Sequence, residues 1–113
     1  MNLFLLEGNT SLLENMVAIN LLRKYGRHDA VWFYQKGIEV DFYVPDAGTA
    51  IQVCFDIDNS AGTFDREVKA LLKITEVLEC RQLFIITRDT ERMLEINGKK
   101  IEVIPVWKWL LNF

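Results

Sequence analysis

Apolar and polar residues alternate along Ile38-Glu39-Val40-Asp41-Phe42-Tyr43-Val44, with Ile38, Val40, Phe42 and Val44 on one side and Glu39, Asp41 and Tyr43 on the other. A period of two marks a strand with one face buried. The alternation resumes at Ala50, where Ile51, Val53 and Phe55 form the apolar set and Ala50, Gln52 and Cys54 share the opposite face. Between the two runs, Pro45-Asp46-Ala47-Gly48 is a turn signal with glycine in the last position of a type I turn. The pattern predicts a hairpin. If Pro45 faces Gly48, Asp41 stands opposite Gln52 and Glu39 opposite Cys54. Opposed side chains start from Cβ atoms roughly 4.5–5.5 Å apart, close enough for two oxygens to share one cation. A slip of one residue breaks that pairing and turns the apolar set to water.

The period changes on either side. Ser11-Leu12-Leu13-Glu14 has the form of a capping box, and Leu12, Leu13, Met16, Val17, Asn20 and Leu21 recur at helical spacing. A helix is predicted over about 11–25, closed by Gly26, with residues 1–10 as a lead-in. Val31-Trp32-Phe33-Tyr34 predicts a short strand, and Asp56 to Gly62 a polar loop. Thr63 then caps a second helix whose stripe is Phe64, Val68, Leu71, Leu72, Thr75 and Leu78. Gln82-Leu83-Phe84-Ile85-Ile86-Thr87 is nearly continuous in apolar residues, as in a strand buried on both faces. Asn97-Gly98 between two alternating runs signals a second hairpin. Pro105 ends it, and Val106 to Leu111 predicts a short terminal helix. The order reads α-β-β-β-α-β-β with a terminal helix: one α/β domain around a mixed sheet, spanning residues 11–113.

Composition narrows the classes of function. Half of the 113 residues are hydrophobic and 26% are charged, the balance of a folded domain. The net charge of −3 argues against nucleic-acid binding by charge alone, which needs a basic patch. No apolar run approaches the ~20 residues of a membrane span, and Met1 to Glu7 lacks the basic start of a signal peptide. Cys54 and Cys80 have neither CxxC spacing nor a disulfide framework around them, which fits reduced thiols and a cytoplasmic setting. With His28 as the single histidine, imidazole-based zinc sites and catalytic triads have little to draw on.

The element order and the acidic hairpin face resemble the PD-(D/E)XK, or restriction-endonuclease-like, fold with its α-β-β-β-α-β core. The set Leu13-Glu14-Asn15, Glu39-Val40-Asp41-Phe42, Ile51-Gln52-Val53-Cys54, Arg66-Glu67, Ile104-Pro105-Val106-Trp107 and Trp109-Leu110 is similar, more closely, to one family. This is the domain of unknown function at the carboxy-terminal end of many bacterial and archaeal P-loop ATPases of the AAA type. No Gly-x-x-x-x-Gly-Lys-Ser/Thr segment occurs in the chain, so the ATPase module itself is absent. The resemblance implies an ATPase module or protein as partner, with self-association and DNA as further partners to test and no membrane.

It also implies a site. Asp41 matches the strand aspartate that holds a divalent cation, Mg²⁺ in the active enzymes. Gln52 takes the position of the second acidic ligand, Glu14 that of the helix carboxylate, and Cys54 that of the catalytic lysine. An amide oxygen can coordinate Mg²⁺ but brings no charge. A neutral thiol neither activates water nor offsets charge on a phosphate as an amine does. Lys36, Lys69 and Lys73 are the candidates to replace the lysine from a neighbouring element. The implied function is a nuclease-like accessory domain with impaired chemistry; the alternative is a Mg²⁺-dependent nuclease. Structural roles stand beside these. Glu14 completes a capping box, Gln52 can hydrogen-bond Asp41 or a helix end, and Cys54 can be a small buried hydrophobe. Arg66 and Glu67 read either as a capping pair or as a cover over the site, and Trp32, Trp107 and Trp109 as core or interface aromatics.

Overall fold

The computed structural model describes residues 8–26, 31–35, 37–57 and 62–113. Its elements are α1 (Gly8–Tyr25), β1 (Trp32–Gln35), β2 (Glu39–Val44), β3 (Thr49–Val53), α2 (Thr63–Ile74), β4 (Gln82–Thr87), β5 (Arg92–Ile96), β6 (Lys99–Pro105) and α3 (Val106–Leu111). One six-stranded sheet runs in the order β1-β2-β3-β4-β6-β5. The β3–β4 and β4–β6 pairs are parallel and the others antiparallel, so the sheet is mixed and the domain α/β. Both arms of the C-terminal hairpin join it, so three strands rather than two follow α2.

Helices cover both faces, which is why the central strands carry little polarity. Val68, Leu71 and Ile74 of α2 pack over Ala50, Leu83, Ile85, Ile101 and Val103. On the other face, Leu13, Val17, Ala18 and Leu21 of α1 and Trp109 of α3 pack over Phe42, Val44, Ile51, Val53, Ile86 and Ile104. Strand β4 supplies Leu83 and Ile85 to one layer and Ile86 to the other, as its continuous apolar run predicts. The β2–β3 turn closes as expected, with Gly48 N–H donating to the Pro45 carbonyl at 3.1 Å. Gly48 has φ +58°, and a Cβ there would come within 3.0 Å of Arg81 Nε. The Arg81 side chain in turn donates to the Asp46 and Ala47 carbonyls, fastening the hairpin tip to the start of β4. Asn97 and Gly98 both take positive φ, 54° and 79°, as a type I′ turn requires.

Three local expectations are corrected. Helix α1 opens at Gly8, so Ser11 lies inside it and the Ser11–Glu14 box does not cap its start; Glu14 is left for another role. Gly62, not Thr63, occupies the N-cap of α2, with φ 85° and no side-chain cap, and the Thr63 hydroxyl instead accepts from Arg66 Nη2 at 3.0 Å. The third concerns the strand face. Ile38 and Val40 join the α2 layer while Phe42 and Val44 join the α1 layer. The cause is a bulge: Tyr43 pairs with Trp32, but Val40 pairs with Tyr34, so β2 carries one residue more than β1 in that interval. An extra residue reverses the alternation beyond it. The loop at Asp58–Ala61, as well as His28 and Lys36, lies outside the described residues, as does most of the lead-in.

The packing separates two hydrophobic positions by their cost. Ile86 is fully buried in the α1 layer, whereas Met93 on the edge strand is 61% exposed. Urea unfolding should show Ile86→Ala losing about 2–5 kcal/mol and Met93→Ala staying within about 0.5 kcal/mol of the parent.

Candidate functional site

The bulge falls where the sequence places its acidic cluster. The regular β2–β3 ladder runs Val44–Thr49, Tyr43–Ala50 and Phe42–Ile51, the predicted register, and stops there. Asp41 and Gln52 therefore do not form the expected directly opposed pair, nor do Glu39 and Cys54, because β3 ends at Val53 and Cys54 N–H turns to the Ile86 carbonyl at 2.9 Å. Side chains take over from the ladder. The Val53 N–H donates to Asp41 Oδ2 at 2.8 Å, and the Asp41 N–H donates to Gln52 Oε1 at 2.9 Å. Gln52 Nε2 donates to the Glu39 carbonyl at 3.0 Å and approaches the Glu67 carbonyl at 3.5 Å. Each of the two side chains satisfies a backbone group of the partner strand's segment. Gln52, 2% exposed, has both ends of its amide engaged, so its structural reading is realised in full.

Three carboxylates interact around this clasp, each from a different element. Asp41 is pushed up to about 6 by burial, partly offset by the Val53 hydrogen bond and further raised by Glu39. Glu14 on α1 is raised to about 7 by burial and by the Asp41 charge. Glu67 on α2 is raised to about 8, by burial first and then by Asp41; a hydrogen bond from the Cys54 thiol opposes the shift, Glu14 adds to it and Arg66 opposes it. Glu67 Oε2 is buried without a hydrogen-bond partner. Like charges crowded in a poorly solvated place favour a proton or a cation. Asp41, Glu14 and Glu67 thus share one electrostatic neighbourhood. The signal for Glu67 was its place beside the α2 stripe, next to Val68, which puts a carboxylate at the edge of a buried face.

Cys54 is 3% exposed, a small buried side chain whose thiol reaches Glu67. It offers no amine. Cations come from the wall instead: Arg66, Lys69 and Lys73 line, with Glu39, Asp41, Gln52 and Glu67, an open cleft of about 410 Å³ between α2 and the start of β2. Their spacing places all three on one face of the helix. Trp109 is core, 4% exposed, while Trp107 is 57% exposed.

Among the described residues, no three His, Cys, Asp or Glu side chains stand in metal-holding geometry. The donor chemistry of the cluster nevertheless suits a hard cation, since Asp41, Glu14 and Glu67 offer carboxylate oxygens and Glu67 Oε2 is an orphaned acceptor. Gln52 fits such a role less well than Glu67, because its carbonyl already accepts the Asp41 N–H.

No protein-family model matches the chain, and no solved structure matches it. An uncharacterized protein of Methanocaldococcus jannaschii, MJ1544, is 32% identical over 111 residues, an alignment that takes in 90% of this chain and 25% of the relative. The chain thus spans about a quarter of the length of the curated relative it matches. Among the described residues no helix is long and apolar enough to cross a membrane.

Two expectations follow from the cluster. All three folded-state values lie above those of free carboxyls, so the folded protein holds protons that the unfolded chain has released. That contribution is complete below about pH 4, the unfolded range, and is lost as pH rises through about 6, 7 and 8. Thermal melts without divalent ions should therefore show Tm falling between pH 5 and pH 8.5, with Glu67→Gln removing the upper part of the slope. Second, Gln52→Glu exchanges two N–H donors for a fourth negative charge. It should cost about 1–3 kcal/mol at pH 8 and less at pH 5, measured by chemical unfolding; equal cost at both pH values would mean that charge is not what the amide spares.

Proposed function

We propose that this chain is a restriction-endonuclease-like accessory domain whose catalytic site has become a binding or regulatory one, acting with a P-loop ATPase. The observation that carries this reading is the commitment of the two departures from the nuclease pattern. Gln52 commits its amide to the backbone of β2, and Cys54 is a neutral thiol buried to 3% exposure. Neither is free to serve a substrate. The acidic pair Asp41 and Glu14 persists, but the group that would neutralise a scissile phosphate is missing from its strand. An accessory role is also in keeping with a relative about four times as long as the matched region.

A second reading has its own support. Lys69 and Lys73 line the same cleft as Asp41 and Glu67, so an amine from α2 could stand in for the strand lysine. In that case Asp41, Glu14 and Glu67 would hold Mg²⁺, and the ion would supply an activated water and a counter-charge for a phosphodiester. Asp41 would anchor the ion, while Lys69 or Lys73 would orient the phosphate.

The two readings part in one experiment. Plasmid and branched DNA incubated with the purified domain and Mg²⁺ or Mn²⁺ should show no cleavage above that of Asp41→Ala. Metal-dependent cutting that disappears in Asp41→Ala and drops at least tenfold in Lys69→Ala or Lys73→Ala would establish the second reading. For the first, the domain should co-purify with an ATPase protein from its own cells, or self-associate; a strict monomer that retains neither would remove it.

A further inference from the structure

The opposite face of the sheet carries a second cavity, of about 330 Å³, that plays no part in the carboxylate cluster. Its floor is built from two cross-strand rows, Val44–Thr49–Gln82 and Ile51–Phe84–Glu102. Its roof comes from the last turn of α1 and the end of α3, where Trp109 and Phe113 stack with ring centroids 4.4 Å apart and Tyr25 meets Phe113 edge-on at 6.4 Å. Apolar and polar groups share its lining almost evenly, aromatic and aliphatic side chains standing beside Thr49, Gln82 and Glu102, a make-up that suits a small amphiphilic molecule.

Its charges favour one kind of occupant. Glu102 is half-buried on the floor, and among the described residues no cationic side chain pairs with it. Lys24, the one cation among the described residues lining the cavity, is already engaged: its Nζ donates to the main-chain oxygen of Phe113 at 2.8 Å and lies 4.3 Å from the Phe113 ring centroid. That contact shows the aromatic wall accepting an ammonium by its ring face, an attraction that strengthens as water is excluded. The carbonyl end of the 18-residue α1 adds a partial negative charge at the same edge.

We propose that this cavity binds a small organic ammonium compound, its charged nitrogen on the Glu102 carboxylate and its apolar body against Ile51, Ile104 and Trp109. This site is independent of the cleft at Asp41 and of the function assigned to it. Benzylammonium is a suitable probe, titrated into the ¹⁵N-labelled protein with benzyl alcohol and benzoate as neutral and anionic counterparts. The expected result is amide shifts concentrated at Thr49, Gln82 and Glu102, with a shift of the Trp109 indole. Benzylammonium should bind about tenfold more tightly than benzyl alcohol, as one charge-assisted hydrogen bond supplies, and that advantage should vanish in Glu102→Gln. Equal binding of the alcohol, a preference for benzoate, or shifts elsewhere would overturn the assignment. Because the three probes are compared on the parent protein, the comparison decides the matter even where Glu102→Gln alters the fold.

Discussion

The reciprocal clasp between Asp41 and Gln52 is the constraint on which the site depends. At the bulge the β2–β3 ladder has lost its backbone partners, and an unpaired buried N–H costs about as much as a lost hydrogen bond. Asp41 takes the Val53 N–H and Gln52 takes the Asp41 N–H, so the gap is closed by the same residues that the bulge exposes. The consequence reaches α2. Gln52 Nε2 lies against the Glu39 and Glu67 carbonyls, which sets the first turn of that helix beside the strand edge. With α2 seated there by Val68, Leu71 and Ile74, Glu67 lines the same cleft as Asp41. Sheet register, helix position and carboxylate crowding are thus one problem solved by one amide.

That arrangement stores electrostatic strain without an internal cation to relieve it. Arg66 lowers the Glu67 carboxyl only against larger opposing effects, and it also donates to Thr63. A lysine at position 54 would place its charge among the three carboxylates; cysteine places a weak hydrogen-bond donor there. The difference is the difference between a neutralised site and one that must hold a proton or recruit a cation from outside. Among the described residues, the amines of α2 line the cleft without forming an ion pair with its carboxylates. The cluster titrates high chiefly because its carboxyls are buried, with their mutual repulsion adding to the effect.

Much of the fold is legible in the sequence because local signals agree with one another. Asn97-Gly98 marks the hairpin it forms, the continuous run Leu83 to Ile86 marks a strand buried on both sides, and Pro45 to Gly48 closes the turn in the predicted register. What escaped is the bulge at Asp41. A bulge leaves no composition signature here, since Ile38 to Val44 alternates faithfully, and only the competing pairings to β1 and β3 reveal that one residue is extra. The same event misled the face assignment of Val40. The capping box at Ser11 failed for another reason: helix α1 extends a turn earlier, and a pattern that can cap a helix can also sit within one. Glu14 is thereby released from the capping role that the local pattern predicts.

The site residues divide along the same line. Asp41 stands out from sequence because strands disfavour aspartate, and its environment repays that cost with a backbone hydrogen bond. Glu67 reads in the sequence either as half of a capping pair with Arg66 or as a cover over the site, and the seat of α2 beside Asp41 and Gln52 is what puts it in the cleft. Position 52 shows why substitution and architecture cannot be separated. A glutamate there would offer charge to a cation but could not donate to the Glu39 carbonyl, whereas glutamine ties the strand and forgoes the charge. With position 52 committed to that tie, the further carboxylate lining the cleft comes from another element, Glu67 of α2.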